Sequence, residues 1–245
     1  ALWVTREPRR PRTSPPAPAG RAARRGGANR LPGGVKRGGF IPRRQMRFIR
    51  RMSLDLFSTQ ADTYAVSRPQ YPQQWYDFLF EQCAENSLAW EAACGNGQAT
   101  VALSKHFSLV VATDLSQQQI DNAAPFVNVS YSVRAAENSA LADDSCDLVC
   151  TAQALHWFDL PQYWQTVSRV LKPGGVFAAW GYNWNSFDDD IDACIQSEVF
   201  KPIESSWAPN NKLLWDRYRY IDFPFESIDV PAIAMPAEYN LHELF

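Results

Sequence analysis

The sequence predicts an α/β fold: a doubly wound, mostly parallel sheet with helices on both faces. Two observations carry this expectation. Short, almost continuous apolar runs alternate with stretches of helical periodicity, as strands covered on both sides by helices should. In addition, Gly95-Asn96-Gly97 falls directly between one such run and the next helical stretch, where doubly wound sheets place their ligands.

Each element has its own signal. Trp75, Phe78, Leu79 and Cys83 recur at helical spacing, so a helix is expected over 72–83. Strands are expected at Leu88–Ala93, Leu109–Thr113, Val127–Val133, Asp147–Ala152 and Val176–Trp180. The clearest helix is Leu160–Leu171, with Leu160, Tyr163, Trp164, Val167 and Val170 on one face and Asp159 as its N-cap. Further helices are expected at Asp188–Phe200 and Lys212–Tyr220. Asp188-Asp189-Asp190 reads as a solvated helix start rather than a metal site.

The chain has 245 residues and a formal charge of −2. That average hides two unlike parts. Residues 1–51 hold 15 of the 24 Lys and Arg and a single acid, Glu7, for a charge of +14, which leaves −16 for residues 52–245. The first part is rich in Arg, Pro and Gly and is expected to be a disordered basic extension, because it has too little apolar surface to offset the entropy of ordering. A nucleic-acid arm, with Trp3 and Phe40 to stack bases, and an organellar transit peptide are the competing readings. The favoured one is an upstream extension, with Met52 as the natural start of the domain 52–245. A domain at −16 argues against nucleic acid as a partner.

No run of 18 apolar residues occurs, so no membrane-spanning helix is expected. The five cysteines form no C-x-x-C pair, and with His106, His156 and His242 they assemble no zinc spacing. Reduced thiols, no metal and a cytoplasmic location are therefore expected, with a monomer or dimer as the assembly.

Only five glycines lie beyond residue 51, and two of them, Gly95 and Gly97, sit after the strand that ends near Ala93. Glycine there lets the backbone approach a ligand closely. The next strand ends in Asp114, whose carboxylate suits a ribose diol, although the same residue could simply cap the following helix. A dinucleotide fingerprint requires a third glycine where this chain has Thr100. Glu91 also places a carboxylate where a pyrophosphate would sit, and like charges repel. The loop therefore favours a cationic, phosphate-free cofactor.

On these residues the chain resembles the class I S-adenosylmethionine-dependent methyltransferases of the type 11 group, which have a Rossmann-like fold. The matching segments are Glu91–Gln98, Ala112–Ser116, Ala136-Glu137, Asp147-Leu148-Val149 and Leu171-Lys172-Pro173-Gly174-Gly175. Phe57, Ala61, Tyr64, Arg68-Pro69 and Tyr71-Pro72, with Gln153–Asp159 and Trp180–Asn183, resemble the trans-aconitate methyltransferase-like branch. The resemblance covers roughly residues 54–230. Three departures stand out: Ala93 replaces the family's first loop glycine, Ala135 stands where the family often has the acid that meets the adenine amino group, and the family's last strand would lie beyond Leu244-Phe245, so this sheet is expected to be a strand short.

The resemblance implies S-adenosyl-L-methionine as cofactor. Glu91, Ala93 and Gly95 would hold its methionine end, Gly97 would belong to the same cofactor-binding loop, and Asp114 would hold its ribose. Leu115, Ala136 and Glu137 would meet the adenine, while Tyr64 and Arg68 would close over the cofactor and substrate. Gln153, also expected at the cofactor, and His156 would lie just after the fourth strand, at the carboxyl edge where the chemistry occurs. His156 is the candidate base if the acceptor needs one, with a packing role as the competing reading. Trp157 and Trp180 stand at strand ends where they could line an acceptor pocket. The expected activity is methyl transfer to a small, carboxylate-bearing metabolite. The alternatives are a nicotinamide-dependent oxidoreductase and a non-catalytic cofactor-binding or interaction protein.

Overall fold

The structure, a computed structural model, describes residues 2–8, 69–183 and 186–236. Seven strands form one sheet: β1 (Leu2–Arg6), β2 (Leu88–Ala92), β3 (Leu109–Asp114), β4 (Val129–Val133), β5 (Cys146–Ala152), β6 (Leu171–Trp180) and β7 (Glu226–Ile228). Their order is β4-β3-β2-β5-β6-β1-β7. Neighbours from β4 through to β6 pair in parallel, and β1 runs antiparallel to both β6 and β7. The helices are α1 (Gln73–Glu81), α2 (Thr100–His106), α3 (Gln117–Asp121), α4 (Leu160–Val170), α5 (Asp189–Ile195), α6 (Lys201–Ile203) and α7 (Asn211–Trp215). This is the α/β, Rossmann-like architecture that the alternating pattern predicts.

The continuous apolar runs are explained by two separate cores. Along β6, Val176, Ala178 and Trp180 pack on one face with Trp75, Leu79 and Leu103. Phe177 and Ala179 pack on the other with Tyr163, Val167 and Val170 of α4. A strand buried on both faces cannot alternate polar and apolar residues. Helix α4 starts where expected, with the Asp159 side chain accepting from the Gln162 amide at 3.4 Å. Helix α1 has no side-chain cap, a lack worth about 1 kcal/mol. Burial of Trp75, Tyr76 and Leu79, at roughly 1.5–3 kcal/mol each, outweighs that loss.

Three expectations need correction. Leu2–Arg6 is a strand, so the expectation of disorder across 1–51 fails at its start; residues 9–51 lie outside the described residues. Composition averaged over the Arg/Pro/Gly stretch hid Leu2-Trp3-Val4-Thr5, a run of β-prone side chains. The sheet is not a strand short either, because β1 takes the antiparallel place beside β6. Finally, the helix expected over 212–220 stops at Trp215, since Arg217 and Tyr218 both adopt left-handed backbone, with φ of 55° and 56°.

The chain builds β2, β3 and β4 outward in one direction, then crosses back to lay β5 on the other side of β2. The direction of winding reverses between β2 and β5. A crevice opens there, outside the carboxyl ends of the strands.

Candidate active site

A cavity of about 570 Å³ occupies that crevice, within the size range of small-molecule sites. The loop after β2, the ends of β3, β4 and β5, and the turn at 153–158 wall it. Of the residues expected at the site, Glu91, Ala93, Gly95, Gly97, Asp114, Leu115, Ala136, Glu137 and Gln153 all line it. Tyr64 and Arg68 lie outside the described residues.

The loop after β2 is shaped by left-handed backbone. Ala93, Gly95 and Gly97 have φ of 57°, 56° and 87°. Gly97 is required twice over: its φ is unfavourable for a side chain, and a Cβ there would stand 2.9 Å from the Tyr131 hydroxyl. At Ala93 the chain tolerates the same conformation with a methyl group, at a cost of roughly 1 kcal/mol. The loop is tied to the next strand by the Cys94 amide donating to the Thr113 carbonyl at 2.9 Å.

Glu91 and Asp114 place two carboxyl groups beside the glycine loop. Glu91 is 1% exposed, and Thr100 Oγ1 donates to its Oε2 at 2.5 Å. Desolvation raises its pKa to about 8, against the Thr100 hydrogen bond, and neighbouring Asp114 adds to the rise. Asp114 accepts from the Gly95 amide at 2.9 Å and the Ser116 amide at 2.8 Å. Burial pushes its pKa up, while the backbone hydrogen bonds from Ser116, Gly95 and Leu115 pull it down. The helix cap itself is Ser116, whose hydroxyl accepts from the Gln119 amide at 3.3 Å. That leaves the outer face of the Asp114 carboxylate to the cavity. Cys94 is also buried there: its thiol donates to the Gly95 carbonyl at 3.4 Å, and desolvation with Glu91 and Asp114 pushes its pKa well above the ordinary thiol value.

The other expected residues hold the walls. Glu137 Oε1 accepts from the Asp159 amide at 2.9 Å, tying the cavity to the start of α4. Gln153 is left-handed, with φ of 57°, and its side chain donates to the Tyr182 carbonyl at 3.2 Å. His156 stands apart from the cavity lining. It is 5% exposed, with Nδ1 3.0 Å from the Tyr218 hydroxyl and its carbonyl accepting from the Asn210 side chain at 2.9 Å. Trp157 lines the cavity, whereas Trp180 is fully buried in the core against Tyr71 and Trp75.

Sequence reading missed Tyr71, Gln119, Arg134 and Phe158, which also line the cavity. Tyr71, in the Tyr71-Pro72 pair, and Phe158, inside the Gln153–Asp159 segment, carried a motif signal but no assigned role; Gln119 and Arg134 carried none. Tyr218 and Asn210 carried none, because they meet His156 across 62 and 54 residues. Among the described residues no His/Cys/Asp/Glu cluster could hold a metal, and no helix is long and apolar enough to cross a membrane.

The fold, with carboxyl groups at the ends of two adjacent strands beside a glycine loop, is the arrangement that the resemblance to class I methyltransferases implies. A family model described as a methyltransferase domain matches residues 90–179. A protein of Dictyostelium discoideum named as a methyltransferase is 34% identical over 194 residues, covering 78% of this chain and 74% of that protein. A methyltransferase-like protein of Schizosaccharomyces pombe is 31% identical over 145 residues, covering 58% of this chain and 56% of its own length. Among solved structures, one from Anaeromyxobacter dehalogenans described as a type II methyltransferase superposes with a TM-score of 0.61 at 35% identity, covering 67% of this chain and 70% of that one. The chain belongs to the methyltransferase family of these relatives, and it is an S-adenosylmethionine-dependent methyltransferase of the class I fold. The nicotinamide alternative falls with that result.

Proposed function

We propose that the cavity binds S-adenosyl-L-methionine and that the enzyme methylates a small, carboxylate-bearing metabolite, as in the trans-aconitate methyltransferase-like branch. The observation that carries the cofactor assignment is the buried Glu91 beside the glycine loop. Among the described residues no cation pairs with it, so a cationic ligand would supply the missing partner. The donor set fits that cofactor. Glu91 would face the ammonium of the methionine end, the left-handed backbone of Ala93–Gly97 would lie along it, and Asp114 would accept from the ribose hydroxyls.

When bound, the cofactor supplies a methyl group on a positively charged sulfur, which leaves as a neutral thioether. The protein's part is positioning. Gln153, held left-handed and tied to Tyr182, shapes the floor at the end of β5. Trp157, Phe158 and Tyr71 would exclude water around the acceptor. His156 Nδ1 is engaged by Tyr218 and the ring lies behind the wall, which favours an acceptor that arrives already ionised. A carboxylate meets that condition, since its oxygen attacks without losing a proton.

A labelled-methyl transfer assay against pooled small carboxylic acids tests the proposal. The expected product is a methyl ester, labile to mild base, formed at saturating cofactor at a rate that stays level above about pH 6, where a carboxylate acceptor is fully ionised. Label in a base-stable product would overturn the acceptor class. Failure to bind S-adenosylhomocysteine would overturn the cofactor assignment.

A further inference from the structure

We infer that strand β1 is a separable ligand of the methyltransferase sheet, seated in a slot between β6 and β7, and that its docking positions the acceptor wall through Tyr218 and His156. The occupant is residues 2–7 of this chain.

All of β1's described partners lie far along the chain. It pairs with Val176–Trp180 on one side and Glu226–Ile228 on the other, and residues 9–68 separate it from the next described residue. The slot reads an extended segment mainly through its backbone, as strand-addition sites do. Its far end is clasped by glycine backbone: the Glu7 amide donates to the Gly175 carbonyl at 2.9 Å and the Gly174 amide to the Glu7 carbonyl at 3.1 Å. Side chains then select the register. Leu2 and Val4 enter the core that holds Trp75 and Trp180, while Trp3 enters the opposite one and stacks on Phe223 at 5.1 Å. Arg6 donates to the Gln82 carbonyl at 3.0 Å. An empty slot would leave β6 as a bare sheet edge and remove the strand with which β7 pairs.

The slot is connected to the cavity. The Trp3 indole N–H donates to the Arg217 carbonyl at 2.7 Å. Arg217 and Tyr218 are the two consecutive left-handed residues, and Tyr218, fully buried, places its hydroxyl on His156 Nδ1. His156 lies in the turn that presents Ala154, Trp157 and Phe158 to the cavity. Left-handed backbone at two ordinary residues in succession persists only where neighbours hold it, and Trp3 is such a neighbour. Tyr218 is therefore a positioning residue, and β1 is what secures it.

The test keeps the full chain and inserts a site for a sequence-specific protease between Gly26 and Gly27, so that cleavage follows folding. The expected result is that the fragment carrying β1 stays with the domain on gel filtration and is displaced by excess synthetic peptide Ala1–Pro8. Release on cleavage that strips hydrogen-exchange protection from 176–180 and 226–228, with protection restored by the peptide, supports the slot equally. Release without loss of protection, or retention that the peptide cannot displace, overturns it. For the relay, Trp3→Phe keeps an aromatic ring to stack on Phe223 and removes the donor. Exchange at 153–159 should rise about fivefold, the size of one net hydrogen bond, while exchange at 109–114 stays unchanged. A change confined to residues 2–8 overturns the relay. The slot stands on strand pairing alone. Only its link to acceptor binding rests on the methyltransferase reading, which fails separately if the uncleaved enzyme does not bind S-adenosylhomocysteine.

Discussion

On one side of β5, the strands β2, β3 and β4 come from one continuous stretch of chain, residues 88–133, and the glycine loop they support is contiguous as well. On the other side, β6, β1 and β7 bring together residues 171–180, 2–6 and 226–228. Both halves bury large side chains on two faces. They differ in the length of chain each contact must close, and loop closure carries an entropic cost that grows with that length. The first half is therefore expected to govern cofactor affinity and the second to govern how much of the sheet survives perturbation.

The strongest way to break this division is Val4→Asp. Val4 is fully buried at the centre of β1, and an unpaired charge there should remove more than about 4 kcal/mol from the unfolding free energy. Urea denaturation would measure the loss. Where the variant remains folded, its affinity for S-adenosylhomocysteine should stay within about threefold of wild type. A collapse of affinity would show that the two halves are one unit.

Gly97→Ala is the reciprocal change. Its Cβ would meet the Tyr131 hydroxyl at 2.9 Å with φ at +87°, so a loss of about 2–3 kcal/mol in stability is expected. S-adenosylhomocysteine affinity should fall at least about tenfold because the loop backbone must shift. Calorimetry on the purified variant would record both quantities.

A pH titration sharpens the role of Glu91. Its folded pKa of about 8 is raised above the unfolded value, so its contribution to stability is full below the ordinary carboxylate range and is lost as pH rises through about 8. A ligand ammonium favours the ionised form. Binding of S-adenosylhomocysteine should therefore release up to one proton and strengthen by up to about tenfold per pH unit between pH 6 and 8. Titration calorimetry in two buffers of different ionisation enthalpy would count the proton, and Glu91→Gln should flatten the dependence.

The smallest effect is a gain. Ala93→Gly relieves left-handed backbone at an ordinary residue and should stabilise the fold by about 0.5–1 kcal/mol, read from the thermal midpoint.

The same division decides what could be read from the sequence. Glu91, Gly95, Gly97 and Asp114 were legible because strand, loop and strand follow one another closely and each residue type has a stated local job. Helix α4 was legible from Asp159 and the apolar face that begins at Leu160. The β1 strand was not, because four residues of β-prone sequence vanish inside the composition of a basic segment, and their partners lie more than 160 residues away. Tyr218 escaped for a related reason. Its value lies in a hydroxyl that meets His156 only after the sheet has closed, and a left-handed tyrosine leaves no trace in periodicity.

One consequence concerns Cys94. A sulfonium cofactor is an alkylating agent, and this thiol would spend its working life beside one. Thiolates alkylate readily and protonated thiols do so slowly. By burying the sulfur, with Glu91 and Asp114 adding to the effect and its proton directed at the Gly95 carbonyl, the protein raises the thiol pKa and keeps Cys94 in the unreactive form. The burial that walls the cofactor site would thereby protect the enzyme from being methylated at this thiol, and electrophiles such as iodoacetamide should mark exposed Cys194 long before Cys94.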